Sequence, residues 1–167
     1  RCLGRADVPV TLAEGRALAP ARWSRHVARR VRCPDVNDAD AFVSWLSDFG
    51  AASPGHVLLP TSDDVAWLIA ENREALAGRF HLLPTTLAAV SALLDKHALL
   101  GHCRAVGLGV PETWFPTSEA EAIAVGEEVG FPLLVKPRSQ VLHPSGTKAV
   151  LVESPRSNTG KIVAIAG

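Results

Sequence analysis

Gly130 to Lys148 reads GFPLLVKPRSQVLHPSGTK, and this stretch decides how the second half of the chain is organised. Upstream of it, Ser118 followed by Glu121 is a capping box at the head of an Ala-rich helix that runs to about Val129, and Gly130 ends that helix. Pro132 cannot continue a helix, and Leu133–Leu134–Val135 is apolar and partly β-branched, so Phe131 to Lys136 is expected to be a strand. A second strand, Lys148 to Glu153, is expected to return antiparallel to it, with Arg138 to Thr147 as the loop between. From Val129 to Val152 there is no acidic residue. The interval holds Lys136, Arg138, His143 and Lys148 with Ser139, Ser145, Gly146 and Thr147, a cationic loop with hydroxyl and backbone donors suited to phosphate oxygens. The chain uses Arg thirteen times and Lys four times, so two lysines around one proline-flanked apolar run point to a need for a compact point charge rather than a planar fork.

Working back from this stretch, Gly107 to Thr117 is a proline-punctuated connector, GLGVPETWFPT. Before it, Thr85 is expected to cap a short helix carrying Leu87, Val90 and Leu94, and Asp95 a second one with Leu99, Cys103 and Val106 on its buried face. Lys96 then sits at a helix start, where the backbone N–H groups lack partners and the dipole already favours an anion. A solvated surface lysine is the alternative reading. Further upstream the periods alternate. Asp38 caps a helix with Phe42, Trp45, Leu46 and Phe49 on one face, which Gly50 is expected to end. His56 to Pro60 reads as a short buried strand. Ser62 caps the next helix, with Asp63 and Asp64 in its first turn and Val65, Leu68, Ile69 and Leu76 as its stripe. Phe80 to Leu83 is another strand, and Val8 to Leu12 an earlier one. Strand alternating with helix at this spacing implies a mostly parallel sheet with helices on its faces. Residues 1–84 are therefore expected to form an open α/β domain whose first strand is missing, 85–117 linking helices and a connector, and 118–167 the start of a further subdomain.

Of 167 residues, 47% are apolar and 20% charged, enough for one sizeable core or for one domain and part of another. Seventeen basic residues balance seventeen acidic ones, so no overall field draws the protein to nucleic acid or to an anionic membrane. Any affinity for phosphate must be local. Cys2, Cys33 and Cys103 are scattered and odd in number, which fits reduced thiols in the cytoplasm. No apolar run approaches the length of a membrane span. The chain starts without Met and stops on the strand-like KIVAIAG, and is read as a fragment.

The order LLDKHALLGHCRAVGLGVPETW, a capped helix, then VGFPLLVKP and a basic loop resembles the ATP-grasp superfamily. In that superfamily an Asp-Lys opens a helix that ends in Gly-x-x-x-Pro, and a later helix leads into a Gly-Phe-Pro strand closing on Val-Lys-Pro. The preceding segment, with VLLPTSDD after a strand, resembles the pre-ATP-grasp domain, especially of carboxylate–amine ligase-like and carbamoyl-phosphate-synthase-like members. The resemblance implies a truncated, open Rossmann-like pre-ATP-grasp domain followed by the α+β first subdomain of an ATP-grasp fold. It implies that Lys136 contacts the α-phosphate and adenine N7 of ATP, and that Lys96 neutralises the phosphates from the other side. Arg138, His143, Ser145 and Lys148 would lie in the phosphate-covering loop, which holds a single Gly where the common version is rich in Gly and Ser. The activity implied is activation of a carboxylate by ATP to an acyl phosphate, for attack by an amine or similar nucleophile. ATP and a small carboxylate are the implied partners, magnesium bridges the phosphates, and a homodimer is left open. The family's metal-binding carboxylates and Asn lie far downstream of the lid, so no metal ligand or catalytic residue is assigned here and these 167 residues alone are expected to be inactive.

Other constellations fail. His97 and His102 point about 140° apart on a helix, too far for one zinc ion. There is no nucleophile elbow, and Gly107 and Gly109 lack the third Gly of a dinucleotide fingerprint. Arg25 to Arg32, RHVARRVR, has no interleaved aromatics and reads as a solvated helix and strand rim rather than a nucleic-acid surface. A non-catalytic nucleotide- or ligand-binding α/β module and a structural domain that has kept the shape are the competing readings.

Overall fold

The computed structural model describes residues 2–15, 20–142 and 149–153, together with the backbone of 165–166. The chain divides into two compact units, Arg1–Pro84 and Thr85–Gly167.

The first unit opens with a single helical turn, α1 (Cys2–Arg5), then strand β1 (Thr11–Glu14), a 3-10 turn at Pro20–Trp23 and strand β2 (Arg29–Arg32). Strand β1 pairs parallel with β2, Thr11 opposite Arg29. The strand expected from Val8 begins three residues later because Pro9 has no N–H to give a ladder. Pairing starts at Val10, whose carbonyl accepts from Ala28 N at 2.9 Å. The RRVR part of the basic cluster is β2 itself, with its arginines exposed and Val31 half-buried.

Helix α2 (Ala39–Ala52) is capped by Asp38, whose Oδ1 accepts from Ala41 N at 3.2 Å. Phe42, Leu46 and Gly50 are its buried face. Gly50 therefore does not end the helix, which runs two residues further to Ala52, with Ser53 as its C-cap. It is the point where Phe80 crosses. Strand β3 (Val57–Leu58) pairs parallel with β4 (His81–Leu82), and between them lie α3 (Asp63–Glu71) and α4 (Arg73–Ala77). Ser62 caps α3, and the stripe expected to run on to Leu76 is interrupted at Asn72. The Asn72 side chain and backbone N–H both donate to the Leu68 carbonyl, at 2.9 and 3.0 Å, so the side chain competes with the ladder at that point. Leu76, on the far side of the break, is fully buried.

The parallel pairing expected of this region is thus present, as two short ribbons. Among the described residues no backbone ladder joins them. A side-chain contact does: His56 Nδ1 donates to the Ser53 carbonyl at 2.8 Å, and its Nε2 lies 3.4 Å from the Thr11 hydroxyl. Phe49 stacks on Trp45 at 5.4 Å, meets the His56 ring edge-on, and carries the Arg29 guanidinium 5.5 Å above its centroid.

The second unit contains α5 (Leu87–Leu94), α6 (Lys96–Ala105), β5 (Thr113–Trp114), α7 (Glu119–Val129), β6 (Leu133–Val135), β7 (Val150–Val152) and β8 (Ile165–Ala166). Thr86, not Thr85, caps α5, accepting from Ala89 N at 3.1 Å. The four strands form one antiparallel sheet in the order β5-β8-β6-β7. Strands β6 and β7 pair as expected, Leu133 opposite Val152 and Val135 opposite Val150. Alternation puts Leu133 and Val135 into the core with Val152, packed by Trp114, Val125, Phe131 and Val150. Helix α7 approaches this face through small residues. Ala122 and Gly126 are its buried positions, and a Cβ on Gly126 would already stand 3.2 Å from Phe131 Cζ.

Candidate functional site

The site is built where the head of α6 meets the exit of β6. Asp95 caps α6 in the usual way, Oδ1 accepting from Ala98 N at 2.9 Å. Its other oxygen, Oδ2, accepts from Arg138 Nε at 2.6 Å. Lys96 completes the junction from the same turn: its backbone N–H donates to the Arg138 carbonyl at 3.0 Å, and its Nζ donates to the Pro137 carbonyl at 2.6 Å and more weakly to that of Arg138 at 3.5 Å. A lysine at a helix start, electrostatically awkward against the dipole, is compensated by backbone carbonyls of another element. The edge of the His97 ring against Phe115, with centroids 4.7 Å apart, holds the next residue of α6 beside the segment that follows β5.

Lys136 follows β6 directly, is half-buried, and by alternation leaves the strand on the face opposite Val135. Its side chain makes no hydrogen bond or ion pair among the described residues. Lys96 is therefore bonded to the two residues immediately after Lys136. Arg138 is present too, with its Nε engaged by Asp95. His143, Ser145 and Lys148 lie outside the described residues.

The electrostatics of the junction favour its charged form. Desolvation raises the Asp95 pKa, but the N–H of Ala98 and the guanidinium of Arg138 outweigh it, and the carboxyl is held below its ordinary value. Arg138 and Asp95 are 52% and 26% exposed in their side chains, so the attraction between them is substantially screened. Along the two segments themselves, Lys96, Lys136 and Arg138 outnumber the Asp95 carboxylate, a balance that fits phosphate oxygens. Among the described residues no cluster of His, Cys, Asp or Glu could hold a metal ion. None of the described helices is long and apolar enough to cross a membrane. Sequence reasoning placed Asp95 as a cap and missed its second bond, since nothing local links it to Arg138; only the paired Asp-Lys and Lys-Pro-Arg hint at it.

No protein-family model matches the chain. Solved structures do resemble it. The L-amino acid ligase of Bacillus licheniformis superposes with a TM-score of 0.68 at 18% identity, over 98% of this chain and 38% of its own. N5-carboxyaminoimidazole ribonucleotide synthetase of Thermus thermophilus gives 0.64 at 17%, over 99% and 42%. The carboxyaminoimidazole ribonucleotide synthase of Aspergillus clavatus, solved in complex with ATP, gives 0.60 at 17%, over 97% and 41%. The chain thus spans about two fifths of the length of the structures it matches. Its α/β architecture, with the parallel ribbons of the first unit and the antiparallel sheet of the second, is the fold of the N-terminal part of ATP-grasp ligases.

Proposed function

We propose that this chain is the nucleotide-binding N-terminal part of an ATP-dependent carboxylate–amine ligase. The observation that carries the reading is the 2.6 Å bond from Lys96 Nζ to the Pro137 carbonyl, which brings the Lys96 ammonium to the residue that follows Lys136 at the exit of β6. Lys136 and Lys96 hold phosphate oxygens of ATP from two sides, and the segment that starts at Arg138, with His143, Ser145 and Lys148, covers them. ATP supplies the phosphoryl group that activates a small carboxylate, and these residues bind and orient it, which is most of what phosphoryl transfer asks of a protein. The magnesium ligands and the carboxylate site belong to sequence beyond these residues, and the free thiols Cys2, Cys33 and Cys103 suit the cytoplasm.

Titration with a fluorescent ATP analogue tests the reading. Lys136→Ala is expected to weaken binding by about 1–3 kcal/mol, the scale of a charge-assisted hydrogen bond. Unchanged affinity would remove Lys136 from the site. A phosphate-release assay on the 167-residue chain, run beside the full reading frame with a panel of amino acids, is expected to show turnover by the longer protein only. Binding without turnover in both would favour a non-catalytic nucleotide-binding module.

A further inference from the structure

We infer that Asp95 is the positioning residue of this site, tying the first turn of α6 to the turn that leaves β6, and that Arg138 is its strut rather than a ligand of phosphate. The use made of the clamp rests on the nucleotide reading above, whereas the clamp itself rests on the bonds alone. Two dipeptides, Asp95–Lys96 and Pro137–Arg138, are stitched by contacts of opposite polarity. The Asp95 carboxylate accepts from the Arg138 guanidinium at 2.6 Å, while the Lys96 ammonium and backbone N–H donate to the Pro137 and Arg138 carbonyls at 2.6 and 3.0 Å. Because Arg138 is half exposed, little net attraction is to be had from the ion pair, and its value is geometric. A lysine on a flexible four-carbon stem is a poorly placed charge until something fixes the backbone around it. Asp95 does so for Lys96 from within the same turn, and through its bond to Arg138 for the turn that follows Lys136. With Nε committed to Asp95, the plane of the Arg138 guanidinium is set by the clamp.

The test uses cap-retaining variants of the intact chain. Asp95→Asn keeps an oxygen for Ala98 N, since Asn caps as well as Asp, but removes the charged acceptor for Arg138. Arg138→Gln removes the donor at an exposed position. Each is expected to weaken binding of the fluorescent ATP analogue roughly three- to tenfold, and the double variant no more than either single one. Arg138→Lys is expected to recover binding when Asp95 is present and not in Asp95→Asn. Amide hydrogen exchange at Lys96 N–H, measured without nucleotide, is expected to speed up in both single variants. Additive losses in the double variant would make Arg138 an independent phosphate ligand and overturn the strut; unaltered affinity in Asp95→Asn would overturn the positioning role. If the wild-type chain binds no ATP analogue, the nucleotide reading fails by itself. The clamp is then judged by exchange, and an unchanged rate at Lys96 in Asp95→Asn overturns it.

Discussion

At Gly50 a Cβ would stand 2.5 Å from Phe80 Cε2, 2.8 Å from Cζ and 2.9 Å from Arg79 Cβ. Ala is the better helix former by about 1 kcal/mol, but forcing a methyl into a closed contact costs about 1–3 kcal/mol. Gly50→Ala is therefore expected to lower the unfolding midpoint in denaturant, and a rise would mean that Phe80 moves aside freely. Cys33 makes a second residue-level case. Burial pushes its thiol up, its backbone hydrogen bond draws it partly back, and the carboxylates of Glu14 and Asp35 add to the rise. At mildly alkaline pH it stays protonated and covered, whereas Cys2 is exposed. Timed alkylation with mass mapping should find Cys2 modified well before Cys33.

Helix α7 shows how much of an element is written in its ends. Ser118 Oγ accepts from Glu121 N at 3.2 Å, as a capping box requires. The Glu121 carboxylate departs from the pattern: it accepts from the Thr117 N–H at 2.7 Å and hydroxyl at 2.9 Å, one residue before the cap. Those two bonds hold the Glu121 pKa below its ordinary value. A carboxylate depressed in the folded state adds stability above the ordinary carboxylate range and loses it as pH falls through the depressed value. The acid limb of an unfolding curve should accordingly flatten in Glu121→Gln, and an unchanged limb would show the bonds to be idle. At the other end Gly130 has φ 84° and ψ −176°, a region open in practice only to Gly. Gly130→Ala is expected to cost about 1–3 kcal/mol by chemical denaturation. That strain would fall between α7 and the strand that presents Lys136.

The whole molecule is two compact units, and the cores are separate in kind. In the first, Leu76 is fully buried, and Phe42, Leu46, Leu68, Ile69, Ala70 and Phe80 are buried as well. In the second, Leu133, Val135 and Val152 form the buried cluster. Leu76→Ala is expected to remove about 2–5 kcal/mol from the first unit. Amide exchange at Leu134 and Val135 should keep its protection, and equal loss in both units would show a single cooperative body instead.

What the amino-acid sequence determined on its own is what depends on near neighbours. Caps at Asp38, Ser62, Asp95 and Ser118, the stop at Gly130 and the apolar alternation of Leu133 to Val135 are all local hydrogen-bonding or steric matters, and each stands where the residues put it. The presence of Lys96 and Lys136 was legible as well, by charge type and by motif. Three features were decided only in the folded chain. Gly50 sits inside its helix because Phe80, thirty residues on, needs the space. The strand at 165–166 inserts between β5 and β6, a pairing that no local pattern in so short a run specifies. And Asp95, a cap to any reader of the sequence, gains its second partner from Arg138 across forty-three residues, since a carboxylate has two oxygens and the local helix uses one.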